Sequence, residues 1–276
     1  MRIRLFGLCG LCLMLAVQAA DLTVVMENGQ MLLPEFNGQG SATWENGDQY
    51  EGEFANGKRH GKGTYISSAG DKYEGEYQES MRQGHGVYTW KSGNRYEGNW
   101  DKNQRHGRGI YTLANGNKYE GDFAHNQKSG NGKFTWANGD VYEGSFKDDK
   151  RTGKGVYRYK NGEVFDGEYL NDLREGKGSY TWKSGNKYEG DWTNNKRNGQ
   201  GTLTWSTGER YVGHFKDDKR EGQGEIYSAY GDVFKGNFKD DKRHGKGTML
   251  TAEGETLEMC FNEGRRVSPT EDCPAN

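Results

Sequence analysis

The sequence predicts an all-β protein, an elongated single-layer twisted antiparallel sheet of about ten 23-residue β-hairpin repeats. Three observations carry this. The pattern Tyr-Glu-Gly-x-aromatic begins at Tyr50 and returns at Tyr73, Tyr96, Tyr119, Tyr142, Phe165, Tyr188, Tyr211 and Phe234, with a decayed tenth copy at Leu257. A fixed period without insertions is the signature of supersecondary units that bury their apolar faces only by stacking. Within a unit, residues alternate with a period of two, as strands do. Aromatics make up 13% of a chain that is 28% charged, with only three prolines. They fall in fixed columns, so they read as a core and not as part of a disordered polar chain.

The first 19 residues read as a secretory signal peptide. Arg2 and Arg4 precede the apolar run Leu5–Val17, and Val17-Gln18-Ala19 supplies small residues at the −3 and −1 sites of a cleavage after Ala19. The apolar run is shorter than the roughly 20 residues a membrane span needs. Sec-type export is therefore expected, to a periplasm or the medium and in a bacterial style, with the product free or peripheral to a membrane. Residues 20–49 form a lead-in and half-repeat marked by Gly38 and Gly40, 50–256 the repeat array, and 257–276 a degenerate capping repeat and tail.

The unit from Tyr96 to Lys118 serves as the type. Tyr96, Gly98 and Trp100 share one face of a strand, with Glu97 and Asn99 on the other. Asp101 to His106 read as a polar loop. Gly107-Arg108-Gly109-Ile110-Tyr111 then alternates again, and Asn115-Gly116 suits a turn needing positive φ, as does the glycine at the same place in other units. Glycine weakens a strand unless something needs the bare backbone. Here the glycines recur opposite aromatics, so rings are expected to lie over them. The predicted aromatic face includes Tyr96, Trp100, Tyr142, Phe146, Tyr188 and Trp192, with Trp90, Trp136, Tyr159, Trp182 and Trp205 as a further column.

These units, Tyr50-Glu51-Gly52-Glu53-Phe54 followed by Gly61-Lys62-Gly63-Thr64-Tyr65, resemble MORN repeats (membrane occupation and recognition nexus), over roughly residues 38–261. The resemblance implies a twisted sheet of successive hairpins. It also implies two functions, attachment to membranes and anionic phosphoinositides, or protein scaffolding and self-association.

One column is a candidate site. The tenth residue of each unit is basic: Arg59, Arg82, Arg105, Lys128, Arg151, Arg174, Arg197, Arg220 and Arg243. On a regular sheet these form a ladder along one edge at about 10 Å intervals. It reads either as a surface for anionic lipid, glycan or an acidic partner, or as a solubilising face balanced by neighbouring acids, with Glu51, Glu74, Glu97, Glu120, Glu143, Asp166 and Glu189 as cross-strand partners. The net charge falls from −2 to −4 once Arg2 and Arg4 are removed, which argues against nucleic acid.

No enzyme is expected, and no cofactor or metal. His60, His106 and His244 occupy one repeat position and so lie at least about 19 Å apart, and all six histidines read as solvated. The Gly-x-Gly units are strand glycines, not phosphate loops. Cys260 and Cys273 are the two cysteines of the exported chain, a candidate disulfide in an oxidising compartment. The expected role is a non-catalytic exported scaffold for a protein partner or a second copy. The alternative is a peripheral binder of anionic phospholipid or glycan.

Overall fold

The computed structural model describes residues 23–27, 30–31, 35–268 and 273–274. The signal-peptide reading lies outside the described residues. Twenty-three strands are described, and from β3 (Gly38–Thr43) to β23 (Arg265–Val267) they form one antiparallel meander in which consecutive strands pair in sequence order. No helix occurs among the described residues. Ahead of the array, β1 (Thr23–Glu27) adds in parallel to β3, pairing Thr23 with Ser41, and turns back through β2 (Gln30–Met31). The half-repeat is in register with the array, since Gly40 pairs with Gly52 of β4 (Gln49–Ala55).

The unit at Tyr96 shows how sequence dictates the hairpin. Strand β8 (Arg95–Asp101) pairs with β9 (Gln104–Thr112), placing Tyr96 opposite Tyr111, Gly98 opposite Gly109 and Trp100 opposite Arg105. The expected six-residue polar loop is not a loop. Only Lys102 and Asn103 turn the chain, at φ 45° and 69°. Two successive left-handed residues make a type I′ turn, whose twist matches that of the flanking strands. Asn and Asp tolerate that region best, and the second turn position is Asn or Asp in seven consecutive units from Asn103 to Asp241. Asp101 and Gln104–His106 consequently belong to strands.

A bulge completes the hairpin. Between the Gly98–Gly109 and Trp100–Arg105 pairs, Asn99 faces three residues, and Gly107 among them takes φ +61°. The extra residues re-aim the strand. In other units a side chain from the short side caps the bulge: Asp191 accepts from the Gln200 amide at 2.9 Å. The connection to the next hairpin is a turn closed by Leu113 N–H to Asn117 C=O and Gly116 N–H to Leu113 C=O, each 2.9 Å, with Gly116 at φ +89°. Strand β9 then pairs with β10 (Lys118–Ala124), Gly109 opposite Gly121.

The core is one ring thick. The ring of Tyr96 is fully buried and Trp100 is 4% exposed. Their ring centroids lie 5.1 Å apart, edge to face, and Tyr96 meets Phe123 of the following unit at the same distance. This alternation runs through the whole array, each contact adding about 0.5–1.5 kcal/mol beyond its buried area. The expectation of rings over bare backbone holds in detail. A Cβ on Gly109 would meet Cε2 and Oη of Tyr96 at 2.5 Å. The Tyr96 hydroxyl, carried past the glycines, donates to the Asn99 carbonyl at 2.8 Å, so no buried oxygen is orphaned. In the last unit Met259 stands opposite Gly247 where a glycine is expected, and Leu257 is 40% exposed instead of buried.

At the C-terminal end, β22 (Thr256–Asn262) packs Phe261 against Phe234. Cys260 is fully buried, and Cys273 stands at bridging geometry with the two Cα atoms 5.7 Å apart. The histidines differ from expectation in part. His60 and His244 lie on strands and are half-buried, each with an unpartnered Nδ1, because the short turn draws their position into the sheet.

Candidate binding face

The two-residue turn decides where the cation ladder sits. Because Arg105 pairs with Trp100, its side chain emerges on the aromatic face and not along an open edge. The guanidinium of Arg82 lies 4.4 Å from the ring centroid of Trp100, 5.0 Å from Tyr88 and 5.7 Å from Tyr73. Arg174 repeats this over Trp192 at 4.5 Å, with Phe165 and Tyr180 beside it. Such stacking suits arginine, whose planar cation is weakly hydrated.

From Arg59 to Arg220 each cation also reaches one hairpin ahead, to the residue 21 positions on. Arg105 Nη2 donates to the Asn126 carbonyl at 2.6 Å while its main-chain N–H donates to Asn126 Oδ1 at 2.9 Å. Arg59, Arg82 and Arg174 bind Ser80, Asn103 and Asn195 in the same way. Where the turn residue is aspartate the contact becomes an ion pair: Arg151 with Asp172, Arg197 with Asp218 and Arg220 with Asp241. Lys128 meets Asp149 at 3.8 Å, and Arg243 lies 4.9 Å from Phe234 and 5.0 Å from Phe261. The side chains of Lys128, Arg151, Arg197 and Arg220 are only 18–23% exposed.

The glutamate column does not partner the ladder. It occupies the opposite face, where Glu74, Glu97 and Glu189 pair with Lys72, Arg95 and Lys187 two residues earlier on their own strands. Strand alternation separates the two columns, since Glu97 and Trp100 differ by an odd number of positions.

The predicted aromatic residues form the floor of the face: Tyr96, Tyr142 and Tyr188 are fully buried, and Trp100, Phe146 and Trp192 are 3–5% exposed. What a partner meets is a second tier above them, half-buried except at the buried Tyr180 and seen in part in the sequence as the tryptophan column. Tyr88 and Trp90 are 4.4 Å apart, Trp136 and Tyr157 5.0 Å, Tyr180 and Trp182 4.8 Å. A row of acids at the far turns, which sequence reasoning missed, orients this tier. Tyr88 and Tyr157 donate to Asp71 and Asp140 at 2.9 Å, and Tyr180 to Glu163 at 2.7 Å. The other oxygen of Asp140 accepts the Lys160 amide at 2.8 Å, tying one turn to the next. In the first such pair, the Tyr65 hydroxyl and the Ser68 amide draw the Asp48 carboxyl down to about 2, while burial and Asp48 push Tyr65 up to about 12. The signal for this row was available in the acidic residue two places before the first aromatic of several units, Asp48, Asp71, Asp140 and Glu163 among them.

A one-layer sheet of identical hairpins, its rings and cations in files, defines a β-hairpin repeat protein. The chain belongs to the MORN repeat family, whose model matches residues 35–49, 50–72, 73–95, 96–118, 119–141, 142–164, 165–187, 188–210, 211–233 and 234–256. No curated protein matches the chain in sequence. Among solved structures it is similar to the Drosophila melanogaster SAS-4 (dCPAP) TCP domain in complex with a proline rich motif of Ana2 (dSTIL), at 16% identity and a TM-score of 0.38, covering 55% of this chain and 83% of that one. It is also similar to a mutant TCP10 domain of Danio rerio CPAP, at 10% identity and a TM-score of 0.41, covering 79% and 96%. At these scores the neighbours contribute nothing to a functional assignment.

Proposed function

We propose that this MORN-repeat protein is a non-catalytic scaffold whose aromatic face receives a protein partner or a second copy of itself. One observation carries the reading. The second tier, from Tyr88 to Trp205, is a file of rings, all but Tyr180 half-buried, on a sheet with no second layer packed over it among the described residues. Half-buried aromatics with one polar end suit protein interfaces. The cation ladder favours a protein over a flat lipid surface, because its charges are recessed under rings and already bound to neighbouring turns.

Export through the N-terminal segment and a Cys260–Cys273 bridge in an oxidising compartment belong to the same proposal. The test is chemical crosslinking in the envelope and light scattering of the purified chain, with co-sedimentation on anionic vesicles in parallel. A strictly monomeric protein that crosslinks to nothing, yet sediments with anionic vesicles in a salt-sensitive manner, overturns the scaffold reading in favour of the lipid one.

A further inference from the structure

In three units the tryptophan fifteen residues before a ladder cation stands over it. Trp44 lies 5.6 Å from the Arg59 guanidinium, Trp182 5.8 Å from Arg197 and Trp205 5.8 Å from Arg220. Before Arg82 that position is Ser67, and before Lys128 it is Leu113. Cavities open at both places. One of about 250 Å³ is lined by Arg59, Arg82, Tyr65 and Tyr88. Another of about 260 Å³ is lined by Arg105, Lys128, Leu113 and Asp149.

The counter-charges of the ladder also vary. Arg151, Arg197 and Arg220 meet aspartates at the next turn, whereas Arg59, Arg82 and Arg105, like Arg174 farther along, meet Ser80, Asn103, Asn126 and Asn195, and only in the N-terminal half do three such arginines follow one another. Among the described residues none of those three forms an ion pair with a carboxylate. The first cavity holds two cations and no carboxylate. The second holds two cations with Asp149 loosely placed at 3.8 Å from Lys128. Burial, and to a lesser degree the neighbouring Arg59 charge, lowers the pKa of Arg82, the signature of a desolvated cation lacking a counter-charge.

We infer that this half of the aromatic face is a groove for an extended acidic peptide, with one carboxylate side chain seated at Arg82 and a second, six residues along, at Lys128. The inference rests on the scaffold reading and gives the partner its chemistry. Two repeats separate the cavities, four strand spacings or about 19 Å. Six residues of polyproline II chain span about 19 Å, with side chains returning to one face every third residue. The middle side chain then falls on Trp90, which stands 4.4 Å from Tyr88 and 5.6 Å from Tyr111 between the cavities. A peptide side chain reaches recessed cations that a planar headgroup layer meets only at the rim.

The experiment is fluorescence anisotropy of the purified chain with a labelled Glu-Pro-Pro-Leu-Pro-Pro-Glu peptide, its Gln-for-Glu counterpart, and phosphatidylserine vesicles as competitor. The acidic peptide binds, weakens with added salt, and binds at least about tenfold more tightly than the neutral one. The double variant Ser67→Trp with Leu113→Trp restores the cover using the array's own residue, keeps every cation, and loses about tenfold in affinity. Asn103→Asp neutralises Arg82 as Asp172 neutralises Arg151, produces a comparable loss, and stands in should the double variant fail to fold. Equal affinity for the two peptides, no binding of either, or undiminished binding by both variants overturns the inference. Vesicle binding that these variants abolish, without peptide binding, overturns it in favour of a lipid. If the peptide fails while crosslinking still yields a partner, the groove is refuted and the scaffold stands.

Discussion

Arg151 and Asp172 are joined twice across neighbouring hairpins: Nε donates to Oδ1 at 2.9 Å, and Nη2 donates to the Asp172 carbonyl at 2.9 Å. The main-chain N–H of Arg151 adds a third bond to the same carboxylate at 3.0 Å. One cation therefore holds its own strand, the rings beside it and the next type I′ turn in one geometry. The column acts first as a stitch between repeats.

Breaking that stitch has a measurable cost. Arg151→Ala removes two charge-assisted bonds and the contact with Tyr169 at 5.0 Å, and lowers stability by about 2 kcal/mol, the scale of a hydrogen bond to a charged group. The aspartate is half exposed, so the ion-pair share of that cost is small. Arg151→Lys recovers only part, because an ammonium cannot serve the carboxylate and the carbonyl in one plane. Denaturant midpoints of the two variants test this, and equal midpoints for wild type and Arg151→Ala would sink the stitch.

The ring-over-glycine architecture predicts a sharp contrast between two glycines. A Cβ at Gly144 would lie 2.5 Å from Tyr142 Oη, 2.6 Å from Gly155 Cα and 2.7 Å from the Lys154 carbonyl, so backbone must move. Gly144→Ala destabilises by about 2–3 kcal/mol, the upper range of overpacking. Gly162 sits in an open turn at φ +93° with nothing within 4 Å of a Cβ. Gly162→Asn costs no more than about 1 kcal/mol, since asparagine tolerates left-handed backbone. Thermal melts that rank the two variants the other way contradict the packing described above.

Alkaline pH should unfold the array through its tyrosines. Burial pushes Tyr96 and Tyr142 up to about 12, and raises Tyr50, Tyr73, Tyr119, Tyr188 and Tyr211 still further. In the unfolded chain a tyrosine titrates near 10. The folded state holds these protons more tightly, so their contribution is fully present below about pH 10 and is lost as pH rises toward 12. Phenolate absorbance from this column should appear together with the loss of circular dichroism. Gradual titration near pH 10 with the sheet intact would show that the rings are not buried.

The proposed bridge between Cys260 and Cys273, whose Cα atoms lie 5.7 Å apart, predicts no free thiol at these two positions in protein purified without reductant. A loop closed over a sequence separation of 13 contributes about 3 kcal/mol by the chain-entropy model. Cys273→Ser should release the tail and loosen the last hairpin while leaving the central repeats unchanged, as expected where stability is a sum of near-neighbour terms. Hydrogen exchange resolved along the chain measures this, and uniform loss of protection across all repeats would contradict it.

Much of the fold was legible because each repeat states its local rule many times. Tyr96, Gly98 and Trp100 alternate as a strand must, Gly116 marks a left-handed turn, and glycines facing tyrosines announce rings over backbone. The hairpin tip was not legible in the same way. Asp101 to His106 is polar throughout, and polarity alone does not distinguish a six-residue loop from a two-residue turn flanked by exposed strand ends. That distinction carried Arg105 from an open edge onto the aromatic face.

The tertiary structure decided what depends on register between units. Arg151 finds Asp172, 21 residues on, because antiparallel pairing brings consecutive hairpins side by side, a relation no single repeat contains. The same pairing put Glu97 on the opposite face from the ladder it was expected to neutralise. It also brought Leu113, an unremarkable residue in a linear reading, beside Lys128. Period and composition determined that this chain folds as stacked hairpins around a file of rings. Which cations lie covered and which stand open followed only from side chains meeting across strands.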